Sequence, residues 1–442
     1  DPHLSVDFAA STPRIPASNQ KLLVSGLAAR VLGPDFRFET RLLQRGQDLI
    51  VAGDGDPALG DDVLLADMTT PDGSPLTATG LLDLWASTAR QSGVHHVDTL
   101  IIDDRVFDRI TRSEGWPKNQ LHHWYCAPVT GLMFSCNTMS FTPAPVGTKV
   151  QLNGNPPWEG VEIVNDMRVG SPGSKSSIQT AGGPDRNHIQ FKGRISRPQK
   201  APIQVCIETP GMSFGSMLAE RLRHAGITVN NVRLASTDDP PPAGRDVAPP
   251  IVTPLATVLR RCNFDSHNLY ADALFKRTAH ELTGRPGTWQ DGRRAMTRAI
   301  EQVAGPSTGL QISDGSGMSR LNAISARTMA AWLCSFDSGV PSDALFLNSI
   351  SQPGQGKLAN RFKDQSQLHG AVVRAKTGYL NGVYALSGDV ICPNNHRWVF
   401  SILINNPPQG KSAKKPSDFN LNTTDIGYID DQLVYSDESG IA

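Results

Sequence analysis

No apolar run in this sequence approaches the roughly 18 residues that cross a bilayer as a helix. No secretory leader is recognisable, and a chain opening at Asp1 is expected to be a mature or trimmed form. Neither sign of charge is in surplus: 42 Lys and Arg stand against 42 Asp and Glu, which excludes a polybasic nucleic-acid binder and an acidic disordered chain. Cysteine is scarce. The six residues Cys126, Cys136, Cys206, Cys262, Cys334 and Cys392 form no C-x-x-C pair, so zinc and thioredoxin sites are not expected. Cys126 and Cys136 can pair in an oxidising compartment; a small buried hydrophobe is the expected role of most of the six. What the chain does have is length, 442 residues at 39% hydrophobic content, enough for two to three domains and a sizeable core.

The segment "RIPASNQKLLVSGLAARVLGP" predicts a helix that opens after Pro16 and stops at Gly33-Pro34. Leu23, Leu27 and Val31 repeat at spacing four, as do Val24, Ala28 and Leu32, so the helix is apolar nearly all round and is expected to be buried. Turn-rich strand sequence follows. A helix over "TGLLDLWASTARQSGV" leads into alternating "DTLIID", short strands fill Asn137 to about Glu208, and "GSMLAERLRHAG" is helical. Ser236–Pro250 reads as the clearest linker. Thr253-Pro254 is expected to cap a helix over "LATVLRRC", and further helices lie in "NLYADALFKRTAHEL", "RRAMTRAIEQVA" and "SARTMAAWLCSF". The described pattern ends in strands "AVVRAKTG", "VYALSGDVI" and "RWVFSILIN", the last two an antiparallel pair across "CPNNHR". One economical arrangement is a single catalytic domain interrupted by a long, largely β insertion.

Lys21 sits three residues after Ser18, hence on the same side of the helix one turn on. Burial disfavours an ammonium, and a neutral lysine can take the proton of a serine hydroxyl. Backbone N–H groups at the helix start suit a developing oxyanion. Spacing alone is weak evidence, since Ser412-x-x-Lys415 repeats it in a polar, Pro-rich stretch without a buried helix. Ser266 and Asn268 fall between two predicted helices, where a hydroxyl and an amide can relay a proton and hold a substrate amide; helix capping by Ser266 is the plainer alternative. Ser135-Cys136-Asn137 has the same S-x-N spacing without that setting. Lys376-Thr377-Gly378 ends a strand-like run, a place for a cation, a hydroxyl and a close backbone approach beside a substrate carboxylate.

S-x-x-K, S-x-N and K-T-G in this order resemble the motif set of penicillin-binding proteins and serine β-lactamases. The interval from Ser18 to Ser266 is far longer than that fold needs. The chain most closely resembles the class C low-molecular-mass penicillin-binding proteins, the D-alanyl-D-alanine carboxypeptidase/endopeptidase family of penicillin-binding protein 4 type. Further matches are "GDGDPAL", "DDRVFD", "GWP", "APVTGL" and "DGSGMSRLNAIS". The resemblance implies an α+β fold: a serine β-lactamase/transpeptidase-like domain, an antiparallel sheet flanked by helices, interrupted by a large insertion forming two smaller domains. The expected division is 1–40 and 245–442 for the catalytic domain, 41–66 and 150–244 for an inserted mainly-β domain, and 67–149 for a second inserted α/β domain.

It also implies roles. Ser18 would be the acyl-forming nucleophile, Lys21 its base, Ser266 the proton shuttle and Asn268 the holder of the substrate amide. Lys376 and Thr377 would bind the terminal carboxylate beside Gly378 and Asn381, with an oxyanion hole from the N–H groups of Ser18 and Tyr379. Arg320, after the loop Asp314-Gly315-Ser316-Gly317, would contact the stem peptide. Two departures stand out. Tyr379 replaces the family's usual Ser or Thr after K-T-G, which favours endopeptidase over carboxypeptidase action, and Ser135 stands where an acidic residue often contacts a diamino acid. No metal or organic cofactor is implied. The expected partners are peptidoglycan stem peptides and β-lactams as covalent inhibitors, with no nucleic acid and with peripheral membrane association open. The expected location is the periplasm or outer surface of a bacterial envelope, reached through a signal peptide absent from this chain.

Two other functions compete. A catalytically weak binder of peptidoglycan peptide or β-lactam would keep the same residues without turnover. "GMSFG", Gly211 to Gly215, matches a G-x-S-x-G nucleophile elbow with Ser213 as its serine, although a helix start after Pro210 explains it as well. His95-His96 and His122-His123 are adjacent pairs whose rings point apart on a regular element and make poor chelates. "HEL" at His280 lacks the second histidine of H-E-x-x-H, and "GDGDP" lacks phosphate-loop spacing; both read as structural.

Overall fold

The computed structural model describes residues 8–70, 72–158, 160–182, 187–362 and 368–406, and the backbone of 426–429 and 432–435. Ser412 and Lys415 lie outside the described residues. The chain forms two compact units: one of residues 1–34, 259–271 and 293–442, the other of 35–258 and 272–292.

In the first unit, the helix Gln20–Leu32 follows a 3-10 turn, Ala17–Asn19, and every residue from Gln20 to Ala29 is buried. Its apolar circumference therefore finds cover on all sides, as its sequence requires. The indole of Trp332, in the helix Ala326–Cys334, donates to the Leu22 carbonyl (3.1 Å), and Phe336 packs on Trp332 and Phe346. Arg30 reaches both carboxylate oxygens of Asp343 (2.8 and 2.9 Å) on a helix the sequence pattern did not suggest, Pro341–Asn348, which starts with proline at its first position. An antiparallel sheet joins Val372–Leu380, Val383–Ile391 and Arg397–Asn405, with Lys376 opposite Ser387 and Gly378 opposite Ala385. Arg374 and Arg397 converge on the buried Asp389 of the middle strand, and Arg397 also donates to the Leu333 and Phe336 carbonyls.

The second unit has a six-stranded sheet. Thr228–Leu234, His96–Asp103 and Asp48–Ala52 run parallel; Arg37–Arg45 joins antiparallel and takes both Arg245–Asp246 and Ile251–Pro254 on its far side. Two amphipathic helices, Ala78–Gln91 and Pro210–His224, bury their apolar faces in the same core, through Leu82, Trp85, Phe214 and Leu218. Smaller sheets fill 138–206, as the alternation and turn residues there predict. The α+β class thus stands.

Several local expectations need correction. Thr253-Pro254 does not cap a helix: both end a strand, and the Thr253 hydroxyl donates to buried Asp56 (2.6 Å), so the next helix begins at Leu255. Proline's fixed φ suits an edge strand as well as a first helical turn. The Ser236–Pro250 stretch is no free linker. Asp239 receives both terminal nitrogens of Arg233 (2.5 and 2.9 Å), Arg105 donates to the carbonyls of Ser236, Asp239 and Pro240, and Arg245–Asp246 joins the sheet. Cys126, Cys136, Cys206 and Cys262 are buried, while Cys334 is exposed and Cys392 partly so. Burial pushes the Cys206 thiol up to about 12. The rings of His122 and His123 do not point apart. They lie 4.1 Å from each other because the chain there turns rather than running as helix or strand. Ser213 lies inside the helix beginning at Pro210, its N–H on the Thr209 carbonyl and its hydroxyl beside Asn187 and Thr209, so it is not presented at a strand-to-helix elbow.

Candidate active site

The site forms within the first unit, where four chain segments meet. Ser18 occupies the 3-10 turn that starts the buried helix, directly after Ala17, whose φ of 46° is a strained value for a residue with a side chain. The turn lies flush on the sheet. Asn405 holds Ile15 from both sides, accepting its N–H (2.7 Å) and donating to its carbonyl (3.1 Å). A β-carbon at Gly378 would lie 2.9 Å from the Pro16 carbonyl oxygen and 3.1 Å from Ser18 N, so only glycine permits this approach without a shift.

Lys21 is fully buried. Its Nζ donates to Asn268 Oδ1 (2.8 Å) and to the Ser316 carbonyl (2.6 Å), and it lies 3.3 Å from Ser18 Oγ. Helical spacing supplies the serine contact; the helix Asn268–Thr283 and the loop after Ser313 supply the other two. That loop is built around the buried carboxylate of Asp314, which accepts from Gly317 N (2.8 Å), Ser319 N (2.7 Å) and Asn322 Nδ2 (2.8 Å). Gly317, at φ 80°, passes so close to Ala17 that a β-carbon would overlap its carbonyl oxygen. The loop is therefore fixed against the Ser18 turn, and it aims a carbonyl at Lys21.

Ser266 adopts φ 61° in the turn before Asn268, and its hydroxyl receives Lys376 Nζ (2.7 Å). Lys376 Nζ also donates to the Thr377 carbonyl (3.0 Å). Burial, and next the neighbouring charge of Lys21, hold the Lys376 ammonium well below the ordinary lysine range. These contacts make two hydrogen-bonded groups, Lys21 with Ser18 and Asn268, and Lys376 with Ser266. Thr377 is half-buried, Gly378 touches the Ser18 turn, and Tyr379 is 53% exposed with its ring packed at a tilt against Tyr384 (centroids 5.5 Å). Arg320 is exposed at the end of the Asp314 loop and donates to the Asn381 carbonyl in the turn between the first two strands. Ser135 belongs to the other unit, buried in a left-handed turn with Cys136 and Asn137, its N–H on the Leu59 carbonyl.

Sequence reasoning missed the Ser316 carbonyl, Asn19 and Asn405. A backbone acceptor carries no side-chain signature. Asn19 was visible as a polar residue at the head of an all-apolar helix, the signal that singled out Lys21.

The depressed lysine has a measurable consequence. Between the folded and unfolded values for Lys376, only the unfolded chain binds the proton, so stability falls as pH drops from about 10.5 toward the folded value. Lys376→Met removes this loss. The difference in melting temperature, variant minus wild type, is expected to grow as pH falls from 10 to 7; a constant difference would show an unshifted lysine.

The D-Ala-D-Ala carboxypeptidase 3 (S13) family profile matches residues 4–423. The D-alanyl-D-alanine carboxypeptidase of Actinomadura sp. (strain R39) is 28% identical over 417 residues, covering 88% of this chain and 73% of that protein. D-alanyl-D-alanine carboxypeptidase DacB of Haemophilus influenzae is 27% identical over 425 residues, 92% of this chain and 84% of that one. The crystal structure of penicillin binding protein 4 (dacB) from Haemophilus influenzae superposes with a TM-score of 0.74 at 25% identity, over 93% of this chain and 89% of the other. With its motifs in order and nearly its whole length matched, the chain belongs to the D-Ala-D-Ala carboxypeptidase 3 (S13) family.

Proposed function

We propose that this protein is a serine acyl-transfer enzyme that cleaves D-Ala-D-Ala-terminated or cross-linked peptidoglycan stem peptides through an acyl-enzyme on Ser18. The carrying observation is the set of partners around Lys21 Nζ: Ser18 Oγ, Asn268 Oδ1 and the Ser316 carbonyl. Lys21 takes the Ser18 proton as Oγ attacks the penultimate D-Ala carbonyl carbon. The N–H groups of Ser18 and Tyr379 receive the oxyanion. Ser266, bonded to Lys376, delivers a proton to the leaving nitrogen as the C–N bond breaks, and the amine departs. Water then attacks the acyl-serine ester, returning Ser18 to its hydroxyl form. Asn268 holds the peptide amide, and Lys376, Thr377 and Gly378 receive the terminal carboxylate. Arg320 and Asn381, joined across the rim, contact the stem peptide. Tyr379 offers no short hydroxyl beside that carboxylate, which supports relatively stronger endopeptidase action.

β-Lactams acylate the same serine on this reading. The substrate places the protein on the periplasmic or outer side of a bacterial envelope; among the described residues no helix is long and apolar enough to cross a membrane. Steady-state assay of a D-Ala-D-Ala peptide and of a cross-linked dimer separates enzyme from binder. Sustained release of D-alanine, or scission of the dimer, is expected; stoichiometric binding without either product would favour the catalytically weak binder.

A further inference from the structure

Next to the nucleophile stands a second polar side chain with no solvent at all. Asn19 is fully buried, and so is Ser387, the residue facing Lys376 across the sheet. In the amide orientation that satisfies both its atoms, Asn19 donates to the Lys376 carbonyl (2.8 Å) and accepts from Ser387 N (3.1 Å) and Ser387 Oγ (2.7 Å). Ser387 Oγ lies 2.9 Å from Ser401 Oγ on the third strand. One consistent proton arrangement follows: Ser401 donates to Ser387, Ser387 to Asn19, and Asn19 to the Lys376 carbonyl. A single amide thus ties the turn carrying Ser18 to the strand carrying Lys376 and Gly378.

Burying an amide in an apolar setting costs free energy unless each of its atoms is paired. Here they are paired with the backbone of the residues that carry the chemistry. The contact lies two residues along the strand from Gly378, where Ser18 N comes as close as a missing β-carbon allows. Asn405 fixes the same turn further back, at Ile15, so Asn19 governs the part nearest Ser18. Strain at Ala17 persists only where neighbouring contacts over-determine it, and Asn19 is one of the two polar clamps on this turn.

We infer that Asn19 is a positioning residue: its side-chain amide locks the Lys376–Gly378 strand against the Ser18 turn, setting the distance between the nucleophile and the groups that polarise the substrate. This rests on the acyl-enzyme reading above. It acts on the chemical step, because misplacing reacting groups by about 1 Å can cost on the order of 100-fold in rate while binding contacts survive.

The test is acylation by benzylpenicillin, resolved into the non-covalent dissociation constant K and the acylation rate constant k2, with k2 measured on the fraction that becomes acylated. The wild-type adduct is mapped first. Its absence from Ser18 would overturn the proposed function, whereas an adduct with an unaffected Asn19 variant overturns only this inference. Asn19→Ala is expected to lower k2 at least tenfold with K changed less than threefold. Wild-type k2, or a loss in K as large as that in k2, would overturn the positioning role. Should Asn19→Ala not fold, Asn19→Asp carries the test. It keeps size and both acceptor contacts and sets an anionic oxygen against the Lys376 carbonyl in place of the donated bond, so k2 is expected to fall at least fivefold; wild-type k2 in this variant would overturn the inference.

Discussion

Lys21→Ala is expected to slow acylation of Ser18 by roughly three orders of magnitude, inside the ~10²–10⁴-fold that a positioned proton acceptor contributes. The group lost has no substitute. Lys376 is the other buried lysine of the site, but it is engaged with Ser266 and the Thr377 carbonyl. The substitution also strips Asn268 Oδ1 and the Ser316 carbonyl of their shared donor, so the turn before the Asn268 helix and the Asp314 loop lose a common tie. Stopped-flow or quenched mass measurement of the penicilloyl adduct reads the rate. A loss of less than tenfold would remove Lys21 as the base. Lys21→Arg is no rescue, because a guanidinium remains protonated at any working pH.

The second large effect is on stability. Asp389→Ala is expected to lower the unfolding free energy of the first unit by roughly 3–5 kcal/mol, the cost of breaking a buried ion pair by removing one partner. Its carboxylate takes two nitrogens of Arg374 and Nε of Arg397, with Arg374 and Asp389 both buried. Arg397 keeps the carbonyls of Leu333 and Phe336, but Arg374 is left as an uncompensated charge on the strand that carries Lys376. Replacing Arg374 and Asp389 together, Arg374→Met with Asp389→Leu, is expected to recover part of the loss, since the buried Arg374 charge is gone while the partly buried Arg397 keeps only its two carbonyls. Denaturant unfolding of the single and double variants checks this; equal losses in the two would contradict it.

The parts of the site that could be read from the sequence were those with spacing or periodicity behind them. Ser18 and Lys21 are related by one helical turn, and burial of the run around them was written in its apolar residues. The turn between two helices that holds Ser266, with Asn268 opening the second helix, and the strand that holds Lys376 to Gly378 are legible in the local pattern. Motif order then tied the three together, and the family match follows it.

What was illegible came from tertiary pairing. Nothing local distinguishes the Ser316 carbonyl from any other, and it reaches Lys21 only because Asp314 folds its loop around one carboxylate. The Pro-rich stretch 236–250 has linker composition, yet Asp239 and the arginines at 105 and 233 hold it down. The geometry of regular elements does not apply to His122 and His123, because the chain turns at that point. In each case long-range ion pairs or backbone acceptors overrode a local pattern.

The central claim is that a buried lysine makes Ser18 the acyl-forming nucleophile. Incubation of the protein with benzylpenicillin, followed by intact-mass measurement and peptide mapping, tests it most directly. The account predicts one penicilloyl group per chain, on the peptide containing Ser18. Folded protein that takes up no penicilloyl group, or carries it on Ser213, would contradict it.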